Sequence, residues 1–299
     1  NTGRGIGVAV VDTGIDLTHP DLQGNITSYH KSCITGTTAN DDHGHGTHVA
    51  GIVAARHNTV GVVGVAPQAK LIAVKVFDKN GVGSWSSVIC GIDWVTSNAQ
   101  LYNIKVANLS LTGGGSSDNN CGYSNNDPVH QALCRLRDAG VVGVVAAGNS
   151  SQDTAQWMPA AYDDAVITVS ALADSDGKKS GQGAATWSGA DDTFAGFSNY
   201  GSAVDLGAPG VDIYSTYKNG SYVLMSGTSM ATPHVAGTVA LYLKAHPRAK
   251  WKDVRDKLKA AGDPIGSGHT DPSGKHPENI VQSITLRYRT GASHHRCAD

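Results

Sequence analysis

The stretch Gly7–Asp12, GVAVVD, is apolar at every position after its glycine until it closes on a carboxylate. A strand with one face in water alternates apolar and polar residues. A run apolar throughout has to be covered on both faces, as strands of a parallel sheet are. The same wording recurs in LIAVKVF (71–77), VANLSL (106–111), VVGVVAAGN (141–149) and VITVSAL (166–172). Between these runs the apolar spacing turns helical over 46–56, 85–97, 128–139, 230–245 and 251–260. Strands alternating with helices predict an α/β fold, a three-layer sandwich with a mostly parallel central sheet and helices on both faces.

No linker interrupts the 299 residues, so a single domain over 1–299 is expected. The Gly, Ser and Asp-rich segment 174–196 reads as a surface insertion, and the tail from about 263 as polar and irregular. With 23 Lys and Arg against 25 Asp and Glu, the net charge of -2 gives no pull toward nucleic acid or a membrane surface. No run is long and apolar enough to span a bilayer, and the N-terminus lacks a signal-peptide layout, so a soluble, processed chain is expected. The five cysteines, Cys33, Cys90, Cys121, Cys134 and Cys297, lack the paired short spacings of a zinc site. Cys121 and Cys134 bracket a polar loop and can pair, which would imply an oxidising compartment.

Three separated motifs suggest one reaction. In SGTSMATPHVAG (226–237), Ser229 precedes an apolar helical run whose Val235, Ala236, Val239, Ala240, Leu241 and Leu243 face a core. A serine at a helix N-terminus has unsatisfied N–H groups beside its hydroxyl, which favours developing negative charge there. It can also be an ordinary N-cap. A serine nucleophile needs a base, and DDHGHGTHVAG (41–51) offers His45 at a glycine-flanked helix start and His48 a turn further in, where packing is the common role. The base in turn needs a buried carboxylate. Asp12 ends an apolar strand at the sheet edge where α/β active sites gather, whereas Asp16 reads as a loop cap.

In VVDTGID, HGTHVAG and GTSMATPHVAG the sequence resembles the subtilisin-like serine proteases, in the chain order Asp, His, Ser. The likeness continues through GVVGVAPQAKLIAVKV, GIDWV, NLSL, AAGN and LGAPG, from Gly3 to about Ala261. It implies a serine endopeptidase with Asp12, His45 and Ser229 as triad and Asn149 as oxyanion donor. It implies broad action on unfolded polypeptide bound as an extended strand between Gly81, Val82, Gly83 and Ser84 on one side and Leu109 to Gly113, including Ser110, Leu111 and Thr112, on the other. Ala146, Ala147 and Gly148 would line the primary pocket. Trp85, Val88 and Leu111 would surround a second apolar pocket, and Phe77 would lie beside the base. Trp157 can shape the primary pocket or pack in the core.

The resemblance also implies structural calcium. Asp21 would give a carboxylate, Asn58 an amide oxygen, and Arg56, Val60 and Val62 carbonyls, a hard-oxygen set suited to Ca2+. Asp205 would complete a weaker site with carbonyls near Ala160 to Ala165. The residues before Asp12 offer no counterpart of an N-terminal segment that supplies a further ligand in the family. A secreted monomer matured from an N-terminal propeptide is expected. A transpeptidase, differing only in whether an amine replaces water, and a non-catalytic binding module are the competing functions.

Overall fold

The computed structural model describes residues 1–283. Its strands, in chain order, are β1 (Gly7–Asp12), β2 (Lys31–Ser32), β3 (Lys70–Lys75), β4 (Ile104–Leu109), β5 (Gly113–Gly114), β6 (Val142–Ala146), β7 (Trp157–Met158) and β8 (Val166–Ala173). They continue as β9 (Thr193–Phe194), β10 (Leu206–Pro209), β11 (Ile213–Tyr217), β12 (Ser221–Met225) and β13 (Asn279–Ile280). The helices are α1 (His45–Ala54), α2 (Trp85–Asn98), α3 (Pro128–Asp138), α4 (Thr228–Ala245) and α5 (Trp251–Ala261).

The central sheet runs β13-β10-β8-β6-β4-β1-β3-β2 with every neighbour pair parallel, and β9 adds an antiparallel edge to β8. Its two faces explain the unbroken apolar runs. Val8 and Val10 of β1 pack with α1 and α4, while Ala9 and Val11 pack with α2 and α3. In β6, Val142 and Val144 join the first core and Val145 the second. Each residue therefore meets a helix whichever way it points, and none has to be polar.

The chain leaves β1 through α1 toward β3 on one side, then returns through α2 to β4 on the other side of β1. The carboxyl ends of β1 and β4 thus flank a crevice at a topological switch point, where such sheets bind ligands.

The residues after 263 do more than the sequence suggested. β13 extends the sheet beyond β10, and Glu278 and His276 are buried with the Glu278 carboxylate bonded to His276 Nδ1 at 2.8 Å and to the Ser170 hydroxyl. Tight turns and side-chain pairing, rather than apolar periodicity, build this segment. The remainder of the tail, with Cys297, lies outside the described residues. Cys121 and Cys134 are disulfide-bonded, as are Cys33 and Cys90, a pair that sequence spacing did not suggest because 57 positions separate them.

Candidate active site

Asp12 is fully buried at the end of β1, and its carboxylate closes on His45 Nδ1 with contacts of 2.8 and 2.9 Å. It also accepts the Thr13 N–H at 2.7 Å. The approach depends on Gly46, since a Cβ there would lie 2.1 Å from the Gly14 carbonyl oxygen and 3.2 Å from Asp12 Cβ. α1 begins at His45 without a side-chain cap on Gly44. Asp41 supplies the missing acceptor: its carboxylate takes the N–H groups of His43, Gly44 and Thr47 at 3.0, 2.9 and 2.9 Å. The Thr13 hydroxyl joins the same cluster, donating to Asp41 at 2.9 Å and accepting the Gly46 N–H at 2.9 Å.

Burial pulls the His45 imidazole toward neutrality, but the Asp12 charge and hydrogen bond, helped by Asp41, outweigh it and hold its pKa above the ordinary histidine value. His48 behaves oppositely. It is buried, its Nε2 meets the carbonyls of Ile213 and Val223 at 3.0 and 3.1 Å, and burial pushes its pKa down to about 4. Asp16 caps its loop, accepting from the Thr18 N–H and hydroxyl and from the Gly220 N–H.

α4 starts two residues earlier than its apolar periodicity indicates, so Ser229 stands in the first turn behind Gly227, and no side chain caps the helix. Neither Thr228 nor Ser229 is a cap. The Thr228 N–H and hydroxyl both donate to Asn149 Oδ1, at 2.8 and 2.9 Å. With its oxygen held there, the Asn149 amide presents Nδ2 as a free donor from an exposed position. A Cβ on Gly227 would come 3.4 Å from that Nδ2 and 3.7 Å from the Ser229 N, so both donors border the same small space.

Pro233 sits inside α4 and has no N–H to give the Ser229 carbonyl four residues back. The Ser110 hydroxyl donates to that carbonyl at 2.9 Å instead, fastening α4 to the segment after β4. The Ser229 hydroxyl in turn donates to the Ser110 carbonyl at 3.3 Å. No hydrogen bond joins Ser229 to His45 among the described residues, and such contacts commonly tighten only when substrate is bound.

Of the expected groove residues, Phe77, Gly83, Trp85, Leu111 and Thr112 line one cavity of about 210 Å³ with Val88. Phe77 thus lines the same cavity as Trp85, Val88 and Leu111. Gly81 and Val82 lie in an exposed turn held by the Asp78 carboxylate, and Val82 is 64% exposed. Ala146 and Ala147 are buried, and the Ala147 carbonyl is taken by the Asn199 amide at 2.9 Å. Trp157 is half-buried with its Nε1 bonded to Gln152, on a strand paired with Gly113–Gly114.

The expected calcium ligands do not fit a cation in this arrangement. Asp21 accepts from the Asn58 amide at 2.9 Å, the Val62 N–H at 2.9 Å and the Tyr222 hydroxyl at 3.3 Å, so protein donors already hold both of its oxygens. The Asn58 oxygen accepts the Val60 N–H at 2.9 Å, so Asn58 offers Asp21 hydrogens rather than a metal an oxygen. The Arg56 N–H donates to the Asp21 carbonyl, and the loop closes on itself, leaving the carbonyls of Arg56, Val60 and Val62 with no carboxylate free to share a cation. Asp205 is buried and bonded to Lys259 Nζ at 2.7 Å and to the Thr168 N–H at 3.1 Å, and the Ala160 carbonyl accepts the Thr168 hydroxyl. An ammonium stands where the weaker site needed a metal.

A model described as the subtilase family matches residues 3–279. The chain belongs to the subtilase family. It is 39% identical to subtilisin DY of Bacillus licheniformis over 269 residues, covering 88% of this chain and 86% of that protein. It is 40% identical to the thermostable alkaline protease of Halalkalibacterium halodurans over 265 residues, covering 89% of this chain but 64% of that protein's length. In fold it is similar to a solved cold adapted subtilisin-like serine proteinase, with a TM-score of 0.75 and 31% identity over 94% of this chain and 90% of the other. This subtilase is a serine endopeptidase acting through subtilisin-type machinery. Among its described residues, no helix is long and apolar enough to cross a membrane.

Proposed function

We propose that this subtilase cleaves peptide bonds with Ser229 as nucleophile, His45 as acid and base, Asp12 as its orienting carboxylate and Asn149 as an oxyanion donor. The observation that carries this reading is the buried Asp12 carboxylate on His45 Nδ1, which leaves Nε2 as the ring's free acceptor. The Ser229 hydroxyl turns from the Ser110 carbonyl toward Nε2, loses its proton there and bonds to the scissile carbonyl carbon. Negative charge then moves onto the carbonyl oxygen, where Asn149 Nδ2 and the Ser229 N–H stabilise it. The carbon–nitrogen bond breaks as Nε2 returns the proton to the leaving amine. Water attacks the acyl-enzyme by the same route, giving its proton to His45, and the second product leaves as Ser229 regains a proton.

The polypeptide lies extended between residues 81–84 and 109–113, its upstream apolar side chain entering the cavity of Phe77, Trp85, Val88 and Leu111. Backbone recognition of this kind gives breadth across sequences. The reading includes one peptidase domain, working as a monomer, secreted and matured from a propeptide; the two disulfides support an oxidising destination. Ser229→Ala and His45→Ala should each abolish hydrolysis of a peptide ester, Ser229→Ala without lowering Tm, and parental turnover by either variant would contradict the assignment.

A further inference from the structure

Lys75 ends β3 opposite Asp12 in the parallel ladder, and its side chain has no exposed surface. A lysine enclosed to this degree is rare unless its ammonium is paired, because removing the charge from water is costly. Here Nζ donates to the Thr13 carbonyl at 2.6 Å and to Asp42 Oδ1 at 2.6 Å. Thr13 has just left the strand ladder, so its carbonyl needs a donor, and Nζ supplies it. Both partners adjoin the active site: Thr13 follows Asp12, and Asp42 stands in the loop that delivers His45 to the start of α1.

The surrounding bonds make this a joint between the two strand ends and the loop that leads into α1. The Thr13 hydroxyl holds Asp41 and the Gly46 N–H, and Asp41 holds the N–H groups of Gly44, just before α1, and of Thr47 in its first turn. The Asp12 carbonyl accepts the N–H groups of Val76 and Phe77, directly beyond Lys75. Through one ammonium, the end of β1, the end of β3 and the loop before α1 share a single position.

We propose that Lys75 is a positioning residue for the Asp12–His45 pair, fixing the separation of strand and helix so that the carboxylate meets Nδ1 in the orientation proton transfer requires. This rests on the triad reading above. Lys75 touches no substrate. Its effect belongs to kcat, because misplacement of a catalytic group by about 1 Å can cost ~100-fold in rate while substrate recognition elsewhere is untouched.

The test uses the full chain and the variants Lys75→Met, which fills the space without a donor, and Lys75→Gln, which keeps a neutral donor. Steady-state kinetics on a peptide anilide should give Lys75→Met a kcat lowered ~10-fold or more with KM within ~2-fold of the parent, and Lys75→Gln an intermediate kcat. The downfield proton resonance of the His45 Nδ1–H shared with Asp12 should broaden or move upfield in step with kcat. A folded Lys75→Met with parental kcat, or a loss of kcat with the resonance unchanged, overturns the proposal. Failure of both variants to fold also overturns it, since Lys75 would then serve the fold alone. His45→Ala separates the two claims: if it keeps parental turnover the triad reading fails, and if it is inactive while Lys75→Met is parental only the positioning role fails.

Discussion

At the scale of single residues, the proposed base His45 should tie activity and stability to pH in opposite directions. Its folded pKa is raised by Asp12, so the protonated ring is favoured by folding. That stabilisation is fully present below the unfolded value, ~6.5, and is lost as pH rises through the higher folded value. Catalysis needs the neutral ring. The acid limb of kcat/KM should therefore lie above ~6.5, and Asp12→Asn should move it down while cutting turnover by ~10⁴; a pH–rate profile of both enzymes checks this, and a limb unmoved by Asp12→Asn would separate the two residues. Asn149 is the other position where geometry sets the expectation. Its oxygen is pinned by two donors from Thr228, so Thr228→Val, keeping the N–H but losing the hydroxyl, should loosen the amide and lower kcat with little change in KM. Complete loss of the donor in Asn149→Ala should cost ~10²–10³ in kcat.

At the scale of elements, the start of α4 is built from a proline defect and its repair. Pro233 withholds a donor from the Ser229 carbonyl and Ser110 supplies one. Ser110→Ala should leave that carbonyl unpaired, lowering stability by about 1–3 kcal/mol in denaturant titration and shifting the nucleophile. Retention of parental stability would mean that another group takes over the carbonyl. The five long parallel strands and the helices were legible in the sequence because burial on both sides leaves unbroken apolar runs, Asp12, His45 and Ser229 stood out because each lies at or beside the end or start of one of those elements, and Asn149, three residues past β6, came from the family resemblance. What held them was not. Asp41 stands in plain view in DDHGHGT, yet its role as acceptor for the Gly44 and Thr47 N–H groups at the start of α1 depends on the loop's curvature. Likewise, nothing local marks Lys75 as buried against Thr13, or Asn58 as turning its amide hydrogens toward Asp21. Those choices are made by side chains meeting across 37 to 62 positions of chain, beyond the reach of periodicity. The strand β13 escaped for the same reason, since two residues paired at a sheet edge carry no period.

At the scale of the whole molecule, two disulfides and the Lys259–Asp205 pair tie distant segments of chain together. The Cys33–Cys90 disulfide closes 57 positions and ties the segment after β2 to α2. On loop entropy alone, its removal by Cys33→Ser with Cys90→Ser should cost about 4 kcal/mol, a loss readable as a lower Tm without any change in the chemistry of Ser229. Lys259→Met should leave the buried Asp205 carboxylate with only the Thr168 N–H and the Arg255 guanidinium at 4.0 Å. Because Lys259 itself reaches solvent, the loss should be about 2 kcal/mol, short of the ~3–5 seen when a fully buried pair is broken. The claim on which the rest depends is that Ser229 is the nucleophile, held beside two oxyanion donors at an uncapped helix start. Peptide mass mapping after reaction with a fluorophosphonate tests it most directly. The adduct should fall on Ser229 alone, at one per chain, and vanish in His45→Ala as in Ser229→Ala; an adduct on any other residue, or labelling of Ser229→Ala at the parental rate, would contradict it.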